Sequence, residues 1–205
     1  MTRILQILSS PRGGASHSTA LGDAVAERLA QAHPQARRLI HDLNAASPGW
    51  LDAAYAAQLV SGQRGEEAMS GTLAASDAAI AALLAADMVV IATPMHNFTL
   101  PAVLKLWVDM VVRAFHTFVP TAGSKLPLVP DRPVFIAIAS GGFFHGERAN
   151  QPDFLIPYLT AALGCIGLRD LCFLPLQGTA FLPAEDIAQQ TRALVEQAAG
   201  WHAKV

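Results

Sequence analysis

The chain has 205 residues, 52% of them hydrophobic and 15% charged, with 14 basic and 16 acidic side chains for a net charge of −2. That length supports one domain, 1–205, with a full core. The apolar content excludes a disordered chain, and the balanced charge excludes a polycation built for nucleic acid. Cys165 and Cys172, without a secretory pattern, read as reduced thiols and hence a cytoplasmic protein. The apolar run in residues 1–10 is too short for a signal peptide. Segments 88–104 and 154–168 are uncharged but contain Pro, Asn, His or Gly and fall short of a membrane span. The histidines show no zinc spacing, so no metal is expected.

Residues 3–8 form the first predicted strand. Ser9-Ser10-Pro11-Arg12-Gly13-Gly14-Ala15-Ser16-His17-Ser18 follows as a small polar loop, and a helix starts at about Ser18 with Leu21, Val25, Leu29 and Ala32 on one face. Hydroxyls of Ser10, Ser16 and Ser18 beside a helix N-terminus suit a phosphate, because amides and dipole there favour an anion. A serine-rich capping turn is the other reading. Neither Gly-x-Gly-x-x-Gly nor Gly-Lys-Ser/Thr is present, which disfavours a dinucleotide or nucleoside triphosphate here.

A second strand spans 36–43. The connection 44–71 carries Pro48-Gly49 and Gly62 to Gly65, with a short helix expected around 53–59. Ser76-Asp77 is expected to cap the next helix, with Ile80, Leu83 and Leu84 as its apolar face. Met88 to Ala92 is a run without polar alternation, the pattern of a strand buried on both faces, and Thr93-Pro94 is expected to end it. Thr99 and Pro101 then open a helix. Met95-His96-Asn97-Phe98 is thus a loop at the carboxyl end of a parallel strand, where open α/β sheets bind ligands. Met95 and Phe98 offer soft faces for a flat heteroaromatic ring, and Asn97 can donate and accept at its edge. A plain turn with Asn in a turn position is the alternative.

The helix that follows to Val112 is apolar nearly all round. Its charges, Lys105, Asp109 and then Arg113, form one stripe at four-residue spacing. Such a helix must be covered on more than one side, so a partner subunit is expected, with the chain's own loops as the alternative. Residues 116–130 read as irregular, with Thr117, Phe118 and Val119 extended. A fourth strand, 133–139, leads into Ser140-Gly141-Gly142-Phe143-Phe144-His145-Gly146, whose paired glycines let backbone approach a ligand. A helix over 152–166 is kinked or started by Pro157. A fifth strand covers 170–176, and the loop 177–183 holds Phe181. The closing helix, 184–201, turns Ile187, Leu194, Val195 and Ala198 inward and Glu185, Gln189, Arg192 and Glu196 outward.

Five strands alternating with helices predict a three-layer α/β fold: a five-stranded parallel sheet of flavodoxin-like order 2-1-3-4-5 with helices on both faces. In that order the serine loop, the Met-His-Asn-Phe loop and the Ser-Gly-Gly loop converge.

Leu8-Ser9-Ser10 with Ser16-x-Ser18, Ser76-Asp77-x-x-Ile-Ala, Ala92-x-Pro94-Met95-x-Asn97-Phe98, Leu104-Lys105-x-x-x-Asp109, Arg113-Ala114 with Thr117-Phe118, and Ser140-x-Gly142 resemble the FMN-dependent NADH-azoreductases, also called FMN-dependent NADH:quinone oxidoreductases. The similarity runs from about Ile4 to the last helix. The resemblance implies a homodimer with FMN near the subunit interface. It also implies ping-pong, two-electron hydride transfer from NADH or NADPH through flavin N5 to a quinone or an aromatic azo compound, a small aromatic acceptor in either case. Carried over by position, Ser10, Ser16, His17 and Ser18 hold the phosphate. Pro94, Met95, His96, Asn97 and Phe98 line the isoalloxazine, and Ser140, Gly141, Gly142 and Phe143 close over the ring and ribityl side. The family usually has Tyr where His96 stands, Arg-Gly-Gly where this chain has Gly141-Gly142-Phe143, and a small residue where it has Phe115. These departures bear on substrate preference.

His96, Phe118, Phe144, His145 and Phe181 are the expected substrate wall, with core packing as the alternative for each aromatic. Arg64 and Arg148 are candidate partners for the phosphates of the nicotinamide donor. No Gly-x-Ser-x-Gly elbow supports a hydrolase, and no side-chain nucleophile is expected. Two rival functions remain: a flavodoxin-type carrier passing single electrons to protein partners, and a non-enzymatic FMN-binding protein. The near-neutral charge argues against the carrier, which would use a charged docking face.

Overall fold

Alternation along the central strand β3 (Met88–Pro94) divides the interior into two cores. Met88 and Val90 pack with one set of helices, whereas Val89 and Ile91 pack with the other. The computed structural model describes residues 1–45, 49–61 and 72–202. Its main sheet holds β1 (Arg3–Leu8), β2 (Arg37–Asp42), β3, β6 (Val134–Ala139) and β7 (Leu171–Leu176), all parallel, in the order β2-β1-β3-β6-β7. On one face lie α1 (His17–Ala32) and α6 (Ala184–His202), joined to the sheet through Leu21, Val25, Leu29, Ile187 and Ala198. On the other lie α3 (Thr72–Ala85), α4 (Ala102–Val111) and α5 (Leu155–Ile166). This is the expected three-layer flavodoxin-like order among the main strands. The two extra strands, β4 (Phe118–Pro120) and β5 (Lys125–Pro127), form a small antiparallel pair inside the stretch expected to be irregular. A helix α2 (Ala53–Ser61) occupies the expected place.

Several local expectations are corrected. β3 does not end at Thr93: Thr93 and Pro94 stay in register with Ile138 and Ala139, and Met95 N donates to Ala139 O at 2.8 Å. Proline removes one donor, but its neighbours carry the ladder past it. Thr99 does not cap α4. It pairs back with His96, and the N-cap is Pro101, with no side-chain bond. Ser76 and Asp77 lie inside α3 rather than at its start. Pro157 sits in the first turn of α5, where no intrahelical N–H is needed, and Asp153 Oδ1 accepts from Leu155 N and Ile156 N at 2.9 and 3.0 Å.

The helix expected to need a partner is covered by its own chain. Leu104, Leu106, Trp107, Val108, Met110 and Val111 are all buried, α4 lying with α3 and α5 in one core. Its apolar circumference therefore gives no argument for a subunit interface. Lys105 does reach Asp109, at 2.6 Å to both carboxylate oxygens. Arg113 leaves the stripe: it is 4% exposed, donating from Nη1 to Ser76 Oγ at 2.7 Å and from Nη2 to Asp77 Oδ1 at 2.5 Å. The helix ends at Val111, so the phase that placed Arg113 outward has lapsed.

Candidate flavin cleft

At the carboxyl ends of β1, β3 and β6 lies a cleft of about 360 Å³ lined by Ser10, Arg12, Ser16, His17, Pro94, Met95, His96, Ala139, Gly141, Thr179 and Ala180. The strand order makes it. β1 and β6 both pair with β3, so the loops leaving all three strands meet at one edge.

The serine loop is held from both ends. Ser9 donates its amide and its hydroxyl to Ala92 O, each at 3.1 Å, which ties the loop to the end of β3. Ser16 is the N-cap of α1, its Oγ accepting from Thr19 N at 3.3 Å and lying 3.0 Å from Ser18 Oγ. Ser10 Oγ accepts from Arg12 N at 3.3 Å. Ser10 and Ser16 are buried yet line the cleft, whereas Ser18 is wholly buried and does not. The opening amides of α1 have no intrahelical acceptor and leave an anion seat beside these hydroxyls. Gly22 brings α1 this close: a Cβ there would stand 2.6 Å from Ala92 Cβ.

The second loop is a tight turn. His96 N donates to Thr99 O at 2.8 Å and Thr99 N to His96 O at 3.0 Å, with Asn97 and Phe98 at φ 47° and 71° between them. Positive φ at both central residues is the type I′ pattern, normally built with Asn and Gly. A phenylalanine there is strained, and such strain concentrates at binding sites. Phe98 O accepts from Phe154 N at 2.9 Å, which steadies the turn from the α5 side.

The third loop is zipped to the loop after β7. Thr179 N and Oγ1 both donate to Ser140 O at 3.1 Å, Ala180 N donates to Gly141 O at 3.3 Å, and Gly178 N donates to Gly142 O at 3.1 Å. Gln151 Nε2 donates to Ser140 Oγ at 3.1 Å and approaches Met95 Sδ at 3.4 Å. Phe143 lies outside this cleft, beneath the Arg148 guanidinium at 4.0 Å from the ring centre.

Of the expected flavin residues, Ser10, Ser16, His17, Pro94, Met95, His96 and Gly141 line the cleft. Ser18, Ser140 and Gly142 support its walls, Asn97 and Phe98 form the turn above Met95, and Phe143 faces away toward Arg148. The five substrate-wall residues are dispersed. Phe118 and Phe144 are buried in the α3–α5 core, because the Phe118 end of the β4–β5 pair and the Ser-Gly-Gly loop fold onto it. His145 lines a second cavity of about 300 Å³ with Phe143, Glu147, Arg148, Gln177 and Gln190. Phe181 is 76% exposed, beside Ala180. Arg64 lies outside the described residues. Among the described residues no three metal-ligating side chains cluster, and no helix is long and apolar enough to cross a membrane. Arg12, Thr179, Ala180 and Gln151 were not expected from sequence. The first three stand next to strand ends and follow from the strand order, but Gln151 carries no pattern at all.

The family model described as having the flavodoxin-like fold matches residues 2–201. A protein of Pseudomonas fluorescens named FMN-dependent NADH:quinone oxidoreductase 4 is 42% identical over 88% of this chain and 86% of its own length. One of Burkholderia lata named FMN-dependent NADH:quinone oxidoreductase 5 is 42% identical over 88% and 87%. In fold the chain also resembles the crystal structure of an azoreductase from Bacillus anthracis, at a TM-score of 0.85 and 23% identity over the full length of both chains. The chain belongs to the flavodoxin-like family of FMN-dependent NADH:quinone oxidoreductases.

Proposed function

We propose that this protein is an FMN-dependent NADH oxidoreductase that reduces quinones and aromatic azo compounds, working as a homodimer in the cytoplasm. The observation that carries the reading is the meeting of three loops, Ser10–Ser16–His17, Pro94–Met95–His96 and Ala139–Gly141, in one cleft that holds both serine hydroxyls and the Met95 side of the β3 loop. The names and identities of the relatives support it.

The residues present fit the cofactor. Ser10, Ser16 and the first amides of α1 would hold a single phosphate, with the Arg12 side chain on the same wall. Met95 would lie against the ring, and the backbone of Ser140 to Gly142 would border it. When bound, FMN supplies two-electron hydride exchange between a nicotinamide and an acceptor. The protein's part is to bind, orient and exclude water. His96 is exposed on the cleft wall, where its imidazole can give a hydrogen bond or a proton to an acceptor oxygen.

Support for the dimer comes from the rim rather than from α4. Phe98, Phe154 and Phe181 are 43%, 61% and 76% exposed. The first two are joined by a backbone hydrogen bond, and the third adjoins the cleft lining at Ala180. Large exposed aromatics around a cleft mark a surface that a partner covers, and a second copy would turn them into the substrate wall. Free Cys165 and Cys172 suit a reducing compartment.

The test is NADH oxidation by protein loaded with FMN, with a naphthoquinone as acceptor, alongside sedimentation analysis. Turnover that needs both FMN and the quinone, from a species of twice the chain mass, is the expected result. Absence of NADH oxidation in the FMN-loaded protein overturns the enzyme reading, and a monomer at working concentration overturns the dimer.

A further inference from the structure

Gln151 ties the loop after β3 to the first residue of the loop after β6. It lies in the stretch between β6 and α5, and its Nε2 donates to Ser140 Oγ at 3.1 Å while standing 3.4 Å from Met95 Sδ. It also packs closely against Gly142: a Cβ there would stand 2.8 Å from Gln151 Oε1. Ser140 is 4% exposed and flanked by the cleft residues Ala139 and Gly141. A serine hydroxyl that accepts from an amide keeps its own proton to donate elsewhere. The carboxamide therefore does two things. It clamps the β3 loop to the β6 loop, and it fixes the direction of the Ser140 hydroxyl.

We infer that Gln151 is a positioning residue for the flavin seat, acting through Ser140 so that this hydroxyl is presented as a donor to the bound cofactor. The inference rests on the cleft between the two loops being the FMN site. The residue touches no reacting group in this account. Its effect is on how tightly and in what orientation the ring is held, because a seat ordered before binding spends less free energy on ordering.

The test measures FMN affinity and the visible circular dichroism of the bound flavin, neither of which depends on turnover. Gln151→Met keeps side-chain length and removes the donor. It is expected to weaken FMN about five- to tenfold and to change the visible dichroism, with far-ultraviolet dichroism unchanged. Ser140→Ala is expected to weaken FMN by a similar factor. The double variant should match the single ones rather than multiply them, since both changes remove one linked interaction. Gln151→Glu reverses the hydrogen bond, so the Ser140 proton is consumed by the new carboxylate, and the loss is expected to be at least as large. This variant carries the test if Gln151→Met does not fold. Wild-type protein that binds FMN while Gln151→Met stays within about twofold of it overturns this inference alone, as does a double variant whose losses multiply. Wild-type protein that fails to bind FMN overturns the inference together with the functional reading beneath it.

Discussion

Arg113 reaches Ser76 across two helices, its Nη1 donating to Ser76 Oγ at 2.7 Å while that hydroxyl donates to Met110 O at 2.7 Å. The contact belongs to a set that closes the last turn of α4. Tyr55 Oη donates to Asp109 O at 2.8 Å, and Thr117 Oγ1 donates to Val111 O at 2.6 Å. Three hydroxyls thus take three successive carbonyls that a helix end leaves without partners. α4 begins just after the Asn97–Phe98 turn, so fixing its far end holds the helix that leaves this turn.

Ser76→Ala leaves Met110 O and the Arg113 guanidinium short of a partner in a buried place. It is expected to cost about 2 kcal/mol, read from urea unfolding. Asp77→Ala leaves a buried cation without its carboxylate. The carboxylate is half exposed, so the cost is expected near about 2–3 kcal/mol rather than that of a wholly buried pair. Losses under about 0.5 kcal/mol in both would contradict the network's role.

Ser16 has two duties, as the N-cap of α1 and as part of the anion seat. Ser16→Ala is expected to lower stability by about 1 kcal/mol and to weaken FMN binding about tenfold. Gly at this position keeps much of the capping geometry but lacks the hydroxyl. Ser16→Gly should therefore spare stability and still lose affinity. Equal FMN affinity in all three proteins would reduce Ser16 to a cap.

Burial pushes the Cys172 thiol up to about 11, helped by nearby Asp170. At about pH 8 only about one molecule in a thousand carries the thiolate there, and reagents attack the thiolate. Native protein should yield one fast-reacting thiol, the half-buried Cys165, and denatured protein two. Two thiols reacting at one rate in native protein would contradict the burial of Cys172.

Burial, then the neighbouring His33, hold His202 below the ordinary imidazole range, and the two Nε2 atoms lie 2.7 Å apart. Folding thus lowers a histidine pKa, so the folded state binds fewer protons there than the unfolded chain. The contribution is present above the ordinary value of 6.5 and is lost as pH falls from there through the lowered folded value. His41 is lowered by burial and acts in the same direction. Melting temperature is expected to drop between about pH 7.5 and about pH 5.5, and His33→Gln should shallow that slope. An unchanged slope in the variant would show that the pair contributes nothing.

The sheet and the cleft were legible because β3 and β6 carry uninterrupted apolar runs and β1 is apolar from Ile4 to Leu8 but for Gln6, each followed by small or polar residues. Strand order then brings the three loops together without further information. The β4–β5 pair was hidden because each strand is three residues long and ends in proline, which reads as a break. Nothing marked the backbone at Phe98 and Phe115, both at positive φ, since no glycine signals it. The φ of 64° at Phe115 is a backbone conformation that a bulky residue rarely adopts. Four-residue spacing misplaces Arg113, because α4 ends at Val111. Gln151 is a single polar residue in a connecting loop, and only the folded chain shows what it joins.

The most direct test is the absorption spectrum of the protein loaded with FMN during anaerobic titration with NADH, followed by a quinone. One equivalent of NADH is expected to bleach the flavin band in a single two-electron step, and one equivalent of quinone to restore it. A flavin band that NADH leaves unchanged, in protein that has bound FMN, would contradict this expectation.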